Sequence, residues 1–374
     1  MRVYVGATRQ NDGKTITSLG LISALKKRLS NVGYIKPVGQ RYVEVDGHKI
    51  DEDSLLVKQV YNLPGKLSDM SPIAIPRYFT ENYIDNPNRE PLIESVKASF
   101  NNIHNVSDIV VVEGTGHAGV GSVFDMSNGD VAAILGCKAI IVSSGGIGRP
   151  IDEIMLNKAT FDAHGVEILG VIINKVDEPK YDKVKSYVTR GLARQGLQVL
   201  GVMPYRPMLS SPTVAQLMED IKGELLSGEE CLHNVVGKMV IGAMPPNQAL
   251  EYLTRNALLI TPGTREDLLL AAMSSCILDT PDNTCIAGMI LTGGTPPKPS
   301  IMELLQKTAI PVILVQDDTF SVASKIAKLI VKIRPGDTDK IKAAEAMVDE
   351  YVDVDRILDI LRVSPSYSHK GSAP

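Results

Sequence analysis

Val3-Tyr4-Val5-Gly6-Ala7-Thr8-Arg9-Gln10-Asn11-Asp12-Gly13-Lys14-Thr15 opens the chain and decides how the rest of it is read. Val3 to Val5 is a short β-branched run of the kind that forms a buried strand. Past the loop, Gly13-Lys14-Thr15 starts a segment with Leu19, Leu21, Ile22, Leu25 and Leu29 at helical spacing. Strand, glycine-containing loop, Gly-Lys-Thr and helix are the grammar of a phosphate-binding loop. Backbone N–H groups of the loop and helix start face an anion, the lysine adds a mobile positive charge, and the threonine hydroxyl is a ligand for Mg²⁺. The usual spacing has four residues between the two glycines; here Gly6 and Gly13 enclose six.

Outward from this stretch, the same alternation recurs. Strands are predicted over Asn31–Pro37, Asp108–Gly114, Cys137–Val142, Ile168–Ile173 and Gln198–Met203, with helical patterns between them at Pro150–Ala163 and Tyr181–Gln195. Alternating strand and helix argues for a parallel sheet with helices on both faces. Ligands of such sheets bind at the C-terminal ends of the strands. Gly6–Thr15, Lys36, Glu113, Ser143–Gly148 and Asn174–Asp177 all fall at such ends. Residues 39–92 read as irregular, apart from a helix around Leu55–Val60 that begins near Asp53.

A second βα series follows Tyr205-Arg206-Pro207. It is predicted as a Val214–Leu226 helix, a Gly237–Met244 strand, a Gln248–Thr254 helix, a Leu258–Thr261 strand and an Arg265–Ser274 helix. An Ile286–Thr292 strand, an Ile301–Thr308 helix, a Pro311–Val315 strand and a Thr319–Ile330 helix complete it. The expected division is a P-loop domain over 1–208, a smaller α/β domain over 209–334, and a C-terminal segment over 335–374. That last segment holds helices at Asp339–Tyr351 and Val354–Leu361 and a polar tail, Ser364–Pro374, expected to be disordered.

Composition narrows the function classes. The 374 residues carry a net charge of −4, no tryptophan, five phenylalanines and no long Lys/Arg run, which argues against nucleic-acid binding. No apolar run approaches the length of a membrane span, and the chain enters a strand without an apolar leader. Cys137, Cys231, Cys276 and Cys285 are scattered, without Cys-x-x-Cys, and read as reduced thiols of a cytoplasmic protein.

The candidate site residues each carry two readings. Lys36 is either a fixed positive charge beside a phosphoryl group or acidic substrate, or a strand-end lysine in solvent. Glu113, at the end of a buried strand, is placed to face Mg²⁺; Asp53 either shares that ion or is an acid favoured at a helix start. Asn174-Lys175-Val176-Asp177 either reads a nucleobase edge or is a polar loop after a strand. Asp125 and Asp130, with the glycines between Gly114 and Gly129, are expected to form a flexible loop over the site, and His117 and His164 read as structural. Gly263 and Gly293-Gly294 serve either packing or an anion-binding turn.

The Gly-Lys-Thr loop, Gly33-Tyr34-Ile35-Lys36-Pro37-Val38, Val112-Glu113-Gly114-Thr115-Gly116 and Gly170-Val171-Ile172-Ile173-Asn174 together resemble the dethiobiotin synthetase family over roughly residues 1–208. The second half, through Gly242-Ala243-Met244, Thr261–Asp267, Ala287–Gly294 and Asp318-Thr319-Phe320, resembles the module named for an Asp-Arg-Thr-Gly-Gly signature, the DRTGG domain. The pairing is similar to the N-terminal regulatory part of long bacterial phosphate acetyltransferases, without their acetyltransferase domain. The resemblance implies ATP and Mg²⁺ as cofactors, with Lys14 and Thr15 in the phosphate and Mg²⁺ roles; Asp12, where the family has an apolar residue, and Gly13 are expected to line the same nucleotide site. It implies Thr15, Glu113 and Asp53 as metal ligands, Lys36 toward the substrate and Asn174 toward the base. Lys175 and Asp177 complete a guanine-type pattern, which keeps GTP beside ATP. Two functions follow. One is a nucleotide-responsive regulator and slow NTPase, expected as a homo-oligomer with a protein partner in acetyl-phosphate metabolism. The other is an ATP-dependent ligase in which Lys14 and Lys36 are catalytic and a small acidic molecule is the acceptor.

Overall fold

A computed structural model describes residues 1–277, 285–329 and 331–363. The chain forms two compact units: the first takes Met1–Tyr205 and returns from Ile333 on, and the second takes Arg206–Lys332.

The first unit is built on six strands: β1 (Arg2–Ala7), β2 (Val32–Ile35), β3 (Ile109–Glu113), β4 (Lys138–Ser144), β5 (Ile168–Val176) and β6 (Val199–Pro204). They form one parallel sheet in the order β6-β5-β4-β1-β3-β2. The strands are near-continuous apolar runs, as expected where both faces are covered; Val3, Val5, Val110, Val111, Ile140, Ile141 and Ile172 are all inaccessible. The register pairs Val5 with Glu113 and with Ile140, so the ends of β3 and β4 flank the loop that leaves β1.

Helix α1 (Lys14–Lys26) is buried around more than its apolar stripe. Thr17 to Ile22, Ala24 and Leu25 are all buried. The cover comes from the end of the chain. Helices α10 (Thr338–Tyr351) and α11 (Val354–Val363), read from sequence as a closing segment of their own, belong to this first unit. A Cβ on Gly20 would overlap the Val348 side chain and lie 2.7 Å from the Ala344 carbonyl oxygen, so the two helices meet where α1 has no side chain. Tyr61 Oη donates to Glu345 Oε1 at 2.8 Å, Arg28 Nε to Asp355 Oδ1 at 2.6 Å, and the Asp353 amide to the Leu200 carbonyl at 2.8 Å. Residues 39–92 hold more structure than expected. A hairpin pairs Tyr42–Val45 with His48–Asp51 and leads into helix α2 (Glu52–Tyr61), capped by Asp51; the longer helices that follow, up to Tyr205, are α3 (Glu90–His104), α4 (Gly148–Ala163) and α5 (Tyr181–Ala193).

In the second unit, β7 (Glu224–Ser227), β8 (Lys238–Ile241), β9 (Ala257–Pro262), β10 (Gly288–Thr292) and β11 (Val312–Leu314) form a sheet ordered β7-β11-β10-β9-β8. All neighbours are parallel except β7, which runs antiparallel to β11 and was not foreseen. Side chains alternate between two cores. Leu259, Met289, Leu291 and Val312 pack with α7 (Glu266–Ile277) and α8 (Pro299–Leu305). Leu258, Ile260, Ile290 and Ile313 pack with α6 (Val214–Ile221) and α9 (Thr319–Ala327).

The expected Gln248–Thr254 helix is a single turn, Pro246–Ala249, and the strand expected to reach Met244 stops at Ile241. The expected helix ends of Ile330 and the tail Ser364–Pro374 lie outside the described residues. The amides of Gly293 and Gly294 donate to the carbonyls of Asp317 and Val315, so that turn is a packing element. One expectation about thiols is corrected: Cys276 and Cys285 form a disulfide, while Cys137 and Cys231 are free. Nine positions of sequence separate the paired cysteines, a spacing without a motif; α7 and the start of β10 bring them together. No helix among the described residues is long and apolar enough to cross a membrane.

Candidate functional site

The loop between β1 and α1 sits at the C-terminal edge of the sheet and is fastened from both sides. Thr8 Oγ1 donates to Asp12 Oδ2 at 2.6 Å and lies 3.1 Å from Ser143 Oγ at the end of β4. Asp12 therefore turns its carboxylate back onto the loop and closes it as a staple. Gly13 takes φ +103°, a left-handed conformation, and a Cβ there would strike the Asn174 amide. Glycine thus lets the loop lie against the end of β5. Helix α1 then begins with no side-chain cap and no acidic residue in its first turn, which leaves its N-terminal amides and dipole facing outward to an anion.

Lys14 is buried; its Nζ donates to the Gly116 carbonyl at 2.8 Å and lies 3.4 Å from that of Arg9. Burial lowers its proton affinity to about 8, opposed by Glu113 and reinforced by Lys36. Thr15 Oγ1 donates to Glu113 Oε1 at 2.9 Å, and Tyr34 Oη donates to Glu113 Oε2 at 3.1 Å. Glu113 is raised above the usual carboxylate range by burial and by the charge of Asp53, with Lys36 pulling the other way. Lys36 is not a solvent lysine. It is buried, ion-paired to Asp53, with Nζ 3.0 Å from Asp51 Oδ1. Burial opposes its charge, but Asp53, Asp51 and Glu113 outweigh burial and raise its proton affinity. Asp53 lies in the first turn of α2, after the cap residue Asp51, so its reading as a helix-start acid is met.

The structure thus gathers Lys14, Thr15, Lys36, Asp53 and Glu113, and adds Asp51 and Tyr34. Three buried carboxylates, Asp51, Asp53 and Glu113, face two buried ammonium groups, Lys14 and Lys36, which leaves one carboxylate in excess, the kind of surplus a hard divalent cation relieves. Among the described residues no group of three or more His, Cys, Asp or Glu is arranged to chelate a metal by itself. Thr15, Asp53 and Glu113 bring a hydroxyl and two carboxylates into this cluster.

Asn174 and Lys175, at the end of β5, lie against the loop that leaves β1. Asn174 is buried; its Nδ2 donates to the Asp12 carbonyl at 3.0 Å, and its Oδ1 accepts from the Lys175 amide at 2.8 Å. Lys175 Nζ donates to the Asn11 carbonyl at 2.7 Å. Asn174 and Lys175 brace the phosphate-type loop, and of the trio only Asp177 presents an exposed carboxylate, 3.6 Å from Lys180. The segment after β3 is likewise not a loose cover. Asn128 accepts from Tyr4 Oη (2.7 Å) and the Thr115 amide (3.0 Å), and donates to the carbonyls of Thr115 and His117. Tyr83 Oη donates to Asp125 and Arg89 pairs with Asp130. Asn157 ties the Ala118 amide to the Thr8 carbonyl. Asn128 and Asn157 were missed; Asn157, after Met155 and Leu156 in a helical segment, offered a signal, whereas Asn128 within Ser127-Asn128-Gly129-Asp130 offered none.

The AAA domain family AAA_26 matches residues 1–213, more than half of the chain. The chain belongs to this AAA domain family. The DRTGG domain follows the AAA domain at residues 216–329. Among curated relatives, the phosphate acetyltransferase of Synechocystis sp. is 26% identical over 382 residues, covering 100% of this chain and 53% of that protein. The phosphate acetyltransferase of Nitratidesulfovibrio vulgaris is 26% identical over 363 residues, covering 94% and 50%. The chain therefore spans about half the length of the curated relatives it matches. The solved MinC:MinD cell division complex of Aquifex aeolicus aligns with 56% of this chain and 83% of its own, with 15% identity and a TM-score of 0.36.

Proposed function

We propose that the first unit binds a nucleoside triphosphate with Mg²⁺ and that the protein is a nucleotide-responsive regulator with slow NTPase activity. The observation that carries this reading is the uncapped start of α1 with Lys14 and Thr15, set opposite Glu113. Phosphates take the loop amides and displace the Gly116 carbonyl from Lys14. Thr15, Glu113 and Asp53 hold the metal, which neutralises charge on the phosphates. ATP is the first expectation through the resemblance to the dethiobiotin synthetase family, with GTP tested beside it because Asp177 leaves one exposed carboxylate near the loop's braces. The phosphate acetyltransferase relatives support a role in acetyl-phosphate metabolism; a cytoplasmic homo-oligomer that acts through a protein partner completes the proposal. The second reading, an ATP-dependent ligase, needs Lys36 facing an acidic acceptor. The engagement of Lys36 by Asp51 and Asp53 favours regulation.

Calorimetric titration of ATP and GTP with Mg²⁺ into the protein and into Lys14→Ala tests the proposal. Binding of either nucleotide that disappears in the variant is expected. Absence of binding by both nucleotides refutes it. Turnover that requires an added acidic acceptor and is lost in Lys36→Ala would establish the ligase instead.

A further inference from the structure

The Lys36 ammonium already occupies the partner side of Asp53, a proposed metal ligand. A divalent ion and an ammonium on the same carboxylate repel one another at contact distance. Something must hold the lysine when the metal arrives, or it must leave a buried space at a large cost in solvation.

Asp51 has the geometry for that task. It is wholly buried and fixed from several sides. Its Oδ1 accepts the Asp53 amide at 2.9 Å, capping α2, and lies 3.0 Å from Lys36 Nζ. Its own amide donates to Ser71 Oγ at 2.8 Å, and a side chain in place of Gly39 would overlap its carboxylate. The cap and the ion pair share one oxygen, so the residue that aims Asp53 also anchors Lys36.

We infer that Lys36 and a divalent cation compete for Asp53, and that Asp51 is the positioning residue that retains Lys36 when the cation takes Asp53. The inference rests on the proposed metal roles of Thr15, Asp53 and Glu113. It makes Lys36 a resident counter-ion of the site, exchanged in part for the metal that comes with nucleotide.

The test is Mn²⁺ binding by the full chain in the presence of ADP, read from the electron paramagnetic resonance signal of free Mn²⁺. Lys36→Met removes the competing cation and is expected to tighten Mn²⁺ binding about tenfold, the size of a one-unit electrostatic shift. Asp51→Asn leaves Asp53 as the lysine's main partner and is expected to weaken Mn²⁺ binding by about the same factor. In Lys36→Met/Asp51→Asn the Asp51 effect is expected to vanish, because no lysine remains to be held. Unchanged or weaker Mn²⁺ binding by Lys36→Met overturns the inference, and so does an equal Asp51→Asn effect with and without Lys36, which would make Asp51 a helix cap only. Lys36→Gln repeats the first arm if the methionine variant does not fold. If Asp53→Asn and Glu113→Gln bind Mn²⁺ as the unaltered protein does, the metal reading itself fails and this inference with it, a result distinct from a normal loss in those two variants alongside an unresponsive Lys36→Met.

Discussion

Lys14 has an ordinary value of 10.5, and burial brings it to about 8 in the ligand-free protein. At that value about nine molecules in ten carry the charge at pH 7 and about one in ten at pH 9. Above pH 7.5 a nucleoside triphosphate is fully ionised, its last phosphate titrating near 6. The ligand's charge is then constant while the lysine's is not. Nucleotide affinity should fall toward tenfold per pH unit above about pH 8. Calorimetry in buffers of different ionisation enthalpy should find nearly one proton taken up per nucleotide at pH 9. Lys36 is shifted the other way and stays charged throughout. Lys175, also lowered by burial, is separated by Lys175→Met, which should keep the break. Lys14→Arg, whose guanidinium does not titrate here, should abolish it. Affinity that is flat from pH 7.5 to 9.5 in the unaltered protein, with no proton uptake, refutes the assignment of Lys14 to the phosphate. The same depressed value has a stability consequence. Between about pH 8 and 10.5 the unfolded chain binds the proton more firmly, so the folded ligand-free protein gains stability as pH rises through that window and bears the full burial cost below it.

Gly20→Ala places a methyl group 2.7 Å from the Ala344 backbone. The clash, about 1–3 kcal/mol, should exceed the helix-propensity gain of about 1 kcal/mol and lower Tm; an unchanged or raised Tm would show that α10 docks elsewhere. Asn128→Ala strips the acceptor shared by Tyr4 Oη and the Thr115 amide. Each buried donor left unpaired costs about 1–3 kcal/mol, to be read as a lower urea midpoint at unchanged m-value. Reducing the Cys276–Cys285 bond releases a short closed loop and should destabilise the second unit by about 2–3 kcal/mol. A melting curve indifferent to dithiothreitol would count against the pairing.

The fold was legible where local pattern and environment agree. Ile109–Glu113 and Ala257–Pro262 are apolar runs with both faces covered, and their sequence says so. The strand ends followed, and with them the meeting of Lys14, Thr15, Lys36, Asp53 and Glu113. Legibility failed where partners are remote in sequence. Nothing near Gly20 announces that Ala344 and Val348 will rest on it. Cys276 finds Cys285 through the path of α7. Asn174 matched a base-reading pattern, yet its amide is taken up by the Asp12 carbonyl, because a motif records which groups are present and not which neighbour claims them. Lys36 was weighed between substrate and solvent, and the buried Asp51 that holds it was given no role.

The return of the chain to its first unit ties the two units in a way that needs no surface between them. The second unit is a 127-residue excursion, Arg206–Lys332, whose two ends are both anchored in one folded body. While it is folded, its ends are held at a set separation. If it melts, the first unit must close a floppy loop of that length before α10 can reach α1, an entropic toll on the order of 4 kcal/mol from (3/2)RT ln n. Stability is therefore transmitted through the covalent chain. Any molecule that stabilises the second unit also firms the seat of α10 against Gly20, on the same helix that begins with Lys14 and Thr15.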